Sequence, residues 1–202
     1  LTFQSVTGQP AYTDAELWGA EAHVLHVGLA GLYTVAGDDS LRFRARPEVH
    51  WLPRLIGTVS VPADASQTVN AEAATVLGPV SLQGEFSWSA IDSDPLENPA
   101  FTAWYAYVSW FVTGENRNYD RKKGQFGRVR PKTEFRTTGE NRGFGALELA
   151  VRFSSIDLQD GAVTGGTMDS WTVGANWYLN SASRVMLNYV HADPSNTSSV
   201  SA

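Results

Sequence analysis

The sequence predicts an all-β protein, an antiparallel transmembrane β-barrel of about eight strands. Three observations carry that expectation. Apolar and polar residues alternate with a period of two along most of residues 24–193. Several of these runs reach ten residues or more, longer than the five or six usual in a globular sheet and long enough for a tilted membrane strand. Tight turns also alternate with longer polar connections, as in outer-membrane barrels.

The strands read in order as 24–35, 41–49, 68–77, 80–91, 101–113, 144–157, 170–179 and 184–193. The clearest follows Gly78-Pro79. Val80, Leu82, Gly84, Phe86, Trp88 and Ala90 fall on one face, with Ser81, Gln83, Glu85, Ser87 and Ser89 on the other. Alternate strand side chains point to opposite faces, so this ribbon is greasy on one side and polar on the other. Trp104, Ala106, Val108, Trp110 and Val112 form a second apolar face, Leu147, Leu149, Val151 and Phe153 a third, and Trp171, Val173, Ala175, Trp177 and Leu179 a fourth. Gly37-Asp38-Asp39, Gly78-Pro79 and Asn180–Ser183 carry turn residues. Residues 50–67, 91–100 and 157–169 read as longer connections. Trp and Tyr gather near strand ends, where an aromatic girdle would meet the lipid–water boundary.

Composition narrows the function. The chain has 202 residues, 43% of them hydrophobic, a formal charge of −6 and no cysteine. A disulfide framework, a thiolate metal site and a cysteine nucleophile are therefore excluded. No apolar stretch approaches the roughly 20 residues of a spanning helix. His23, His26, His50 and His191 lack metal-ligand spacing, and no nucleophile elbow, P-loop or dinucleotide fingerprint occurs. The expectation is a protein that is not an enzyme and needs no cofactor or metal.

Charge is distributed unevenly. Arg42, Arg44 and Arg46 alternate with Leu41, Phe43 and Ala45, which on a strand puts three guanidiniums on one face about 6.5–7 Å apart. Like charges so placed repel. In a pore wall they would form an anion track, since each planar fork can take two oxygens of a passing oxyanion and conduction needs several moderate sites. Their apolar partners would then face lipid. The connection 114–143 holds nine basic residues, Arg117, Arg121, Lys122, Lys123, Arg128, Arg130, Lys132, Arg136 and Arg142, against four acids. It lacks the aromatic interleaving of a nucleic-acid site. Counting strands places it at the same end as the turns 37–39, 78–79 and 180–183, from where it is expected to fold into the lumen as a second positive patch. Arg121, Lys122, Lys123 and Arg152 join the arginine row as candidate anion-binding residues. Glu148 and Arg152 read as lumenal polar residues. The rival expectation is a soluble all-β ligand-binding module that stacks carbohydrate on its tryptophans.

Several segments resemble the phosphate-selective porin O/P family. They are Ser40–His50 (Ser-Leu-Arg-Phe-Arg-Ala-Arg-Pro-Glu-Val-His), Ala71–Phe86, Trp110–Glu115, Gly127–Lys132, Gly174–Asn180 and Met186–Val190. The resemblance implies a sixteen-stranded outer-membrane barrel of a Gram-negative bacterium, trimeric, passing phosphate or polyphosphate, with Arg42, Arg44 and Arg46 in the lumenal arginine ladder. It implies that the chain is a C-terminal-half fragment. Residues 1–23 would begin that fragment with a partial strand, 24–193 would carry the barrel strands, and 194–202 would be a polar loop before a missing final strand. Partners would be small anions, outer-membrane lipid and two further copies of the chain, not nucleic acid.

Overall fold

The computed structural model describes residues 23–120, 123–138 and 142–195. Its thirteen strands are β1 (His23–Val35), β2 (Ser40–Leu41), β3 (Arg44–Ala45), β4 (Ile56–Gly57), β5 (Val61–Pro62), β6 (Ala65–Leu77), β7 (Val80–Asp92), β8 (Ala100–Phe111), β9 (Tyr119–Asp120), β10 (Gln125–Phe126), β11 (Ala146–Asp160), β12 (Val163–Tyr178) and β13 (Arg184–Ser195). The seven long ones form one antiparallel sheet in the order β1-β6-β7-β8-β11-β12-β13, each strand pairing with its neighbour in that list. The sheet is open, with β1 and β13 at its edges. Among the described residues no helix is long and apolar enough to cross a membrane.

The registers fix what each face carries. Across the sheet Thr75, Leu82, Val108, Val151, Val173 and Tyr189 lie in one row, and Ala71, Phe86 and Trp104 in another. This face stays open: Leu25, Val27, Leu29, Phe86, Trp88, Trp104, Val108, Trp110, Trp171, Val173 and Leu187 are all exposed. The opposite face carries Glu72, Asn70, Thr68, Gln83, Glu85, Ser87, Tyr105, Tyr107, Glu148, Arg152 and Asn176. Period-two alternation has therefore sorted one whole sheet into a greasy side and a polar side. An apolar patch of this extent marks a surface that meets something other than water.

Two expected features differ. The run 41–49 is not a strand of the main sheet. It belongs to the 36–64 connection, where β2 pairs with β5 and β3 with β4 in a hairpin. Among the described residues, seven of the expected eight strands lie in the main sheet. Residues 157–169 are not a long connection either: β11 runs on to Asp160, with a bulge between Asp157 and Gln159, and β12 restarts at Val163 after a tight turn. The hairpin moves the turn 37–39 to the opposite end from 78–79 and 180–183. The connection between β8 and β11 stays at the end of those two turns.

Candidate functional site: the polar face and its two inserts

The hairpin lies against the polar side of the sheet. Leu41, Phe43 and Ala45 pack on a core of Ile56, Val61, Ile91, Phe101, Leu158, Val163 and Met168. Phe43 meets the Phe101 ring edge-on, with centroids 5.1 Å apart. The amide N–H of Phe43 donates to the Thr58 hydroxyl at 3.1 Å, and that of Thr58 to the Phe43 carbonyl at 2.8 Å. Gly57 lets the two strands close: a Cβ there would meet the Arg44 side chain at 2.7 Å and the Phe43 carbonyl at 3.0 Å. Leu41, Phe43 and Ala45 thus face a protein core, not lipid. The local alternation is as the sequence implies, but its greasy side is satisfied by the sheet.

Arg42, Arg44 and Arg46 point the other way and are exposed. Arg42 Nε donates to the Thr58 carbonyl at 3.3 Å and Arg46 Nε to the Leu52 carbonyl at 2.9 Å. Both bonds are made through Nε and hold the side-chain stems. Arg54, slight desolvation, Arg42 and Arg46 together hold the Arg44 pKa below its ordinary value. The row is thus four arginines that sense one another, and Arg54 is the member that alternation alone does not reveal.

Arg152 stands on the polar face of β11 and is not a free cation. Its Nε lies 3.4 Å from Glu48 Oε1, and its guanidinium sits 3.8 Å above the Tyr105 ring. The Ser154 hydroxyl donates to the same Glu48 oxygen at 2.7 Å. Glu48 has positive φ, 51°, just past Pro47, and that turn brings the hairpin tip onto the sheet wall. Lys123 is exposed, 3.8 Å from Asp120. Arg121 and Lys122 lie outside the described residues.

The second insert is the connection 112–145. It folds over the same polar face from the opposite end. Arg117 donates from Nε and Nη2 to Glu148 Oε1, each at 3.2 Å, and from Nη2 to the Tyr107 hydroxyl at 2.6 Å. Two residues on, the Tyr119 hydroxyl lies 2.6 Å from His26 Nδ1, whose Nε2 lies 3.0 Å from Glu72. Arg117 is thus held at β11 while Tyr119 reaches the edge strand β1. Val129 packs with Phe111, Ala146 and Tyr178 to seat the rest. Between this insert and the 180–183 turn lies a cavity of about 730 Å³ lined by Lys123, Arg128 and Arg184 among others. Sequence reasoning missed the Tyr119–His26 contact, since 93 residues separate the partners. Among the described residues no group of His, Asp and Glu is placed to hold a metal ion.

An open sheet, greasy outside and polar inside, with inserts folded onto the polar side, defines a segment of a β-barrel wall of the porin type. The family described as "Phosphate-selective porin O and P" matches residues 16–201, and the chain belongs to it. It is 35% identical over 169 residues to an uncharacterised protein of Caulobacter vibrioides, covering 82% of this chain and 33% of that protein. It is 28% identical over 200 residues to Porin O of Pseudomonas aeruginosa, covering 84% of this chain and 44% of that protein. The chain spans less than half the length of either relative.

Proposed function

We propose that this chain is part of the wall of an outer-membrane porin that passes small anions by passive diffusion, phosphate or polyphosphate among them. The observation that carries the reading is the arginine row of the inserted hairpin. Arg42, Arg44 and Arg46 are exposed on the polar side of a sheet whose other side is bare hydrocarbon. Each guanidinium can take two oxygens of an oxyanion, and neighbours of the same sign keep any one site from becoming a deep trap. Arg54 extends the row. Lys123 on the other insert would be a second basic station, joined in sequence by Arg121 and Lys122, which lie outside the described residues. Arg152 contributes mainly by holding Glu48, and so the hairpin, against the wall.

An open sheet in lipid would leave the outer N–H and C=O groups of β1 and β13 unsatisfied, at several kcal/mol each. The pore is therefore formed by a longer chain closed into a barrel; membership of the porin O and P family further implies a trimer in the outer membrane of a Gram-negative bacterium.

The test is reversal potential under a KCl gradient, with phosphate block of chloride current, in planar bilayers. The full-length protein carrying this sequence is compared with its Arg42→Ala/Arg44→Ala/Arg46→Ala variant. The reading expects strong anion preference in the first, and reduced preference and weaker phosphate block in the second. Equal selectivity in the two proteins overturns the arginine assignment.

A further inference from the structure

Glu148 is the most deeply buried charge among the described residues. It is 0% exposed, on the polar face of β11. Its carboxylate is fully engaged. Oε1 accepts from Arg117 Nε and Nη2 at 3.2 Å and lies 3.3 Å from the Tyr107 hydroxyl. Oε2 accepts from Asn176 at 3.0 Å and from the Tyr178 hydroxyl at 2.9 Å. Three of these partners, Tyr107, Asn176 and Tyr178, stand on β8 and β12, the two strands flanking β11. The fourth, Arg117, is the only one contributed by the insert. The sheet thus builds a preorganised carboxylate socket, and the insert supplies one cation to fill it.

We infer that Glu148 is a positioning residue that locks the basic insert across one end of the passage by capturing Arg117. Arg117 is well suited to be the key. Its guanidinium also lies over the Tyr107 ring at 5.1 Å and the Phe126 ring at 5.3 Å, so it ties the sheet to β10 as well. From that fixed point the chain runs to Tyr119, which meets His26 at the sheet edge. Behind it, Glu115 is buried and organises the insert. It contacts the Thr113 hydroxyl and accepts the Lys132 amide N–H at 3.1 Å. Arg117 is neutralised in this arrangement, so its task is mechanical. The other basic residues lining the cavity at this end are Arg128, Arg184 and Lys123, the last beside Asp120. Unpairing Glu148 would leave a buried charge without its cation, so the arrangement closed on Arg117 is strongly favoured.

The inference rests on the channel reading only in treating the polar face as a passage wall. Its test reads position rather than current. The chain has no cysteine, so spin labels can be placed at Gln125→Cys on the insert and Ser181→Cys on the turn across the cavity, in the full-length protein in lipid nanodiscs. Pulsed dipolar spectroscopy should give one narrow distance. Glu148→Gln and Arg117→Gln should each lose it, giving a broad distribution, and Arg117→Lys, which keeps the charge but not the two-nitrogen bond or the ring contacts, should broaden it less than Arg117→Gln does. If Glu148→Gln fails to insert into lipid, Arg117→Gln decides alone, since Arg117 lies off the sheet. A distribution as narrow as the unmutated one in Arg117→Gln, or in both Gln variants, overturns the inference. Loss of anion selectivity in separate bilayer recordings would refute the channel reading and leave this result standing.

Discussion

Val108→Arg tests the orientation of the whole sheet. Val108 lies on the open apolar face, 39% exposed, with Leu82 and Val151 beside it in the registers of β7 and β11. Trp104 and Trp110 bracket it on the same face, four and two residues away, or roughly 13 and 7 Å along the strand. Under the proposed function such tryptophans lie toward the lipid–water boundaries, which puts Val108 inside the hydrocarbon band. An arginine there should cost about 2–4 kcal/mol near the midplane, less toward either interface. The control is Ser87→Arg, on the polar face opposite Asn70 and Ala103, where the same side chain meets water and should change stability by about 0.5 kcal/mol or less. The assay is urea-dependent equilibrium folding of the full-length protein into lipid vesicles. Equal destabilisation by the two substitutions would refute the assignment of faces.

Other consequences follow from particular residues. Trp51 is 89% exposed on the hairpin, so its fluorescence should be quenched by aqueous iodide, while Trp88, Trp104, Trp110 and Trp171 should respond to lipid-borne quenchers; iodide-insensitive Trp51 emission would contradict the hairpin's placement. Gly145 has φ of 81°, and a Cβ there would meet the Tyr178 carbonyl oxygen at 2.3 Å; Gly145→Ala should cost about 1–3 kcal/mol, read as a lowered urea midpoint. Ile56→Ala removes a fully buried side chain from the core that seats the hairpin; it should cost about 2–5 kcal/mol and expose residues 50–55 to protease. Arg44 carries a depressed pKa because Arg54 crowds it. The charged form is thus disfavoured in the fold, so repulsion is present at every pH below that pKa. Added phosphate should relieve it, slowing proteolysis of the hairpin more than added chloride does.

The strands with unbroken alternation were legible from sequence. From Val80 to Ala90 and from Trp171 to Trp177 each side chain falls on the face that period two assigns. The seven-residue run from Ser40 to Arg46 alternates just as cleanly and is no part of the sheet. Alternation reports that one side is buried, but not whether lipid or protein buries it. The start of β12 is hidden because residues 157–169 read as a polar connection, while Thr164 and Thr167 pair with Gln159 and Asp157 of β11 around a bulge at Gly165-Gly166, where Gly166 has φ of 87°. The Glu148 socket draws on Tyr107 of β8 and on Asn176 and Tyr178 of β12, and the insert's anchor at His26 comes from far up the chain. Such contacts arise from register across the sheet, which a local pattern does not encode.

Under the proposed function, one side of this sheet meets hydrocarbon and the other meets water. Single cysteines placed in turn at residues 81–90 of β7, in the full-length protein in lipid vesicles, test it most directly. Each is exposed to a water-soluble maleimide and to a lipid-partitioned one. The account predicts labelling from water at Ser81, Gln83, Glu85, Ser87 and Ser89, graded by what the inserts cover, and labelling from lipid at Leu82, Gly84, Phe86, Trp88 and Ala90. Reaction with the aqueous reagent at every position, without alternation, would contradict it.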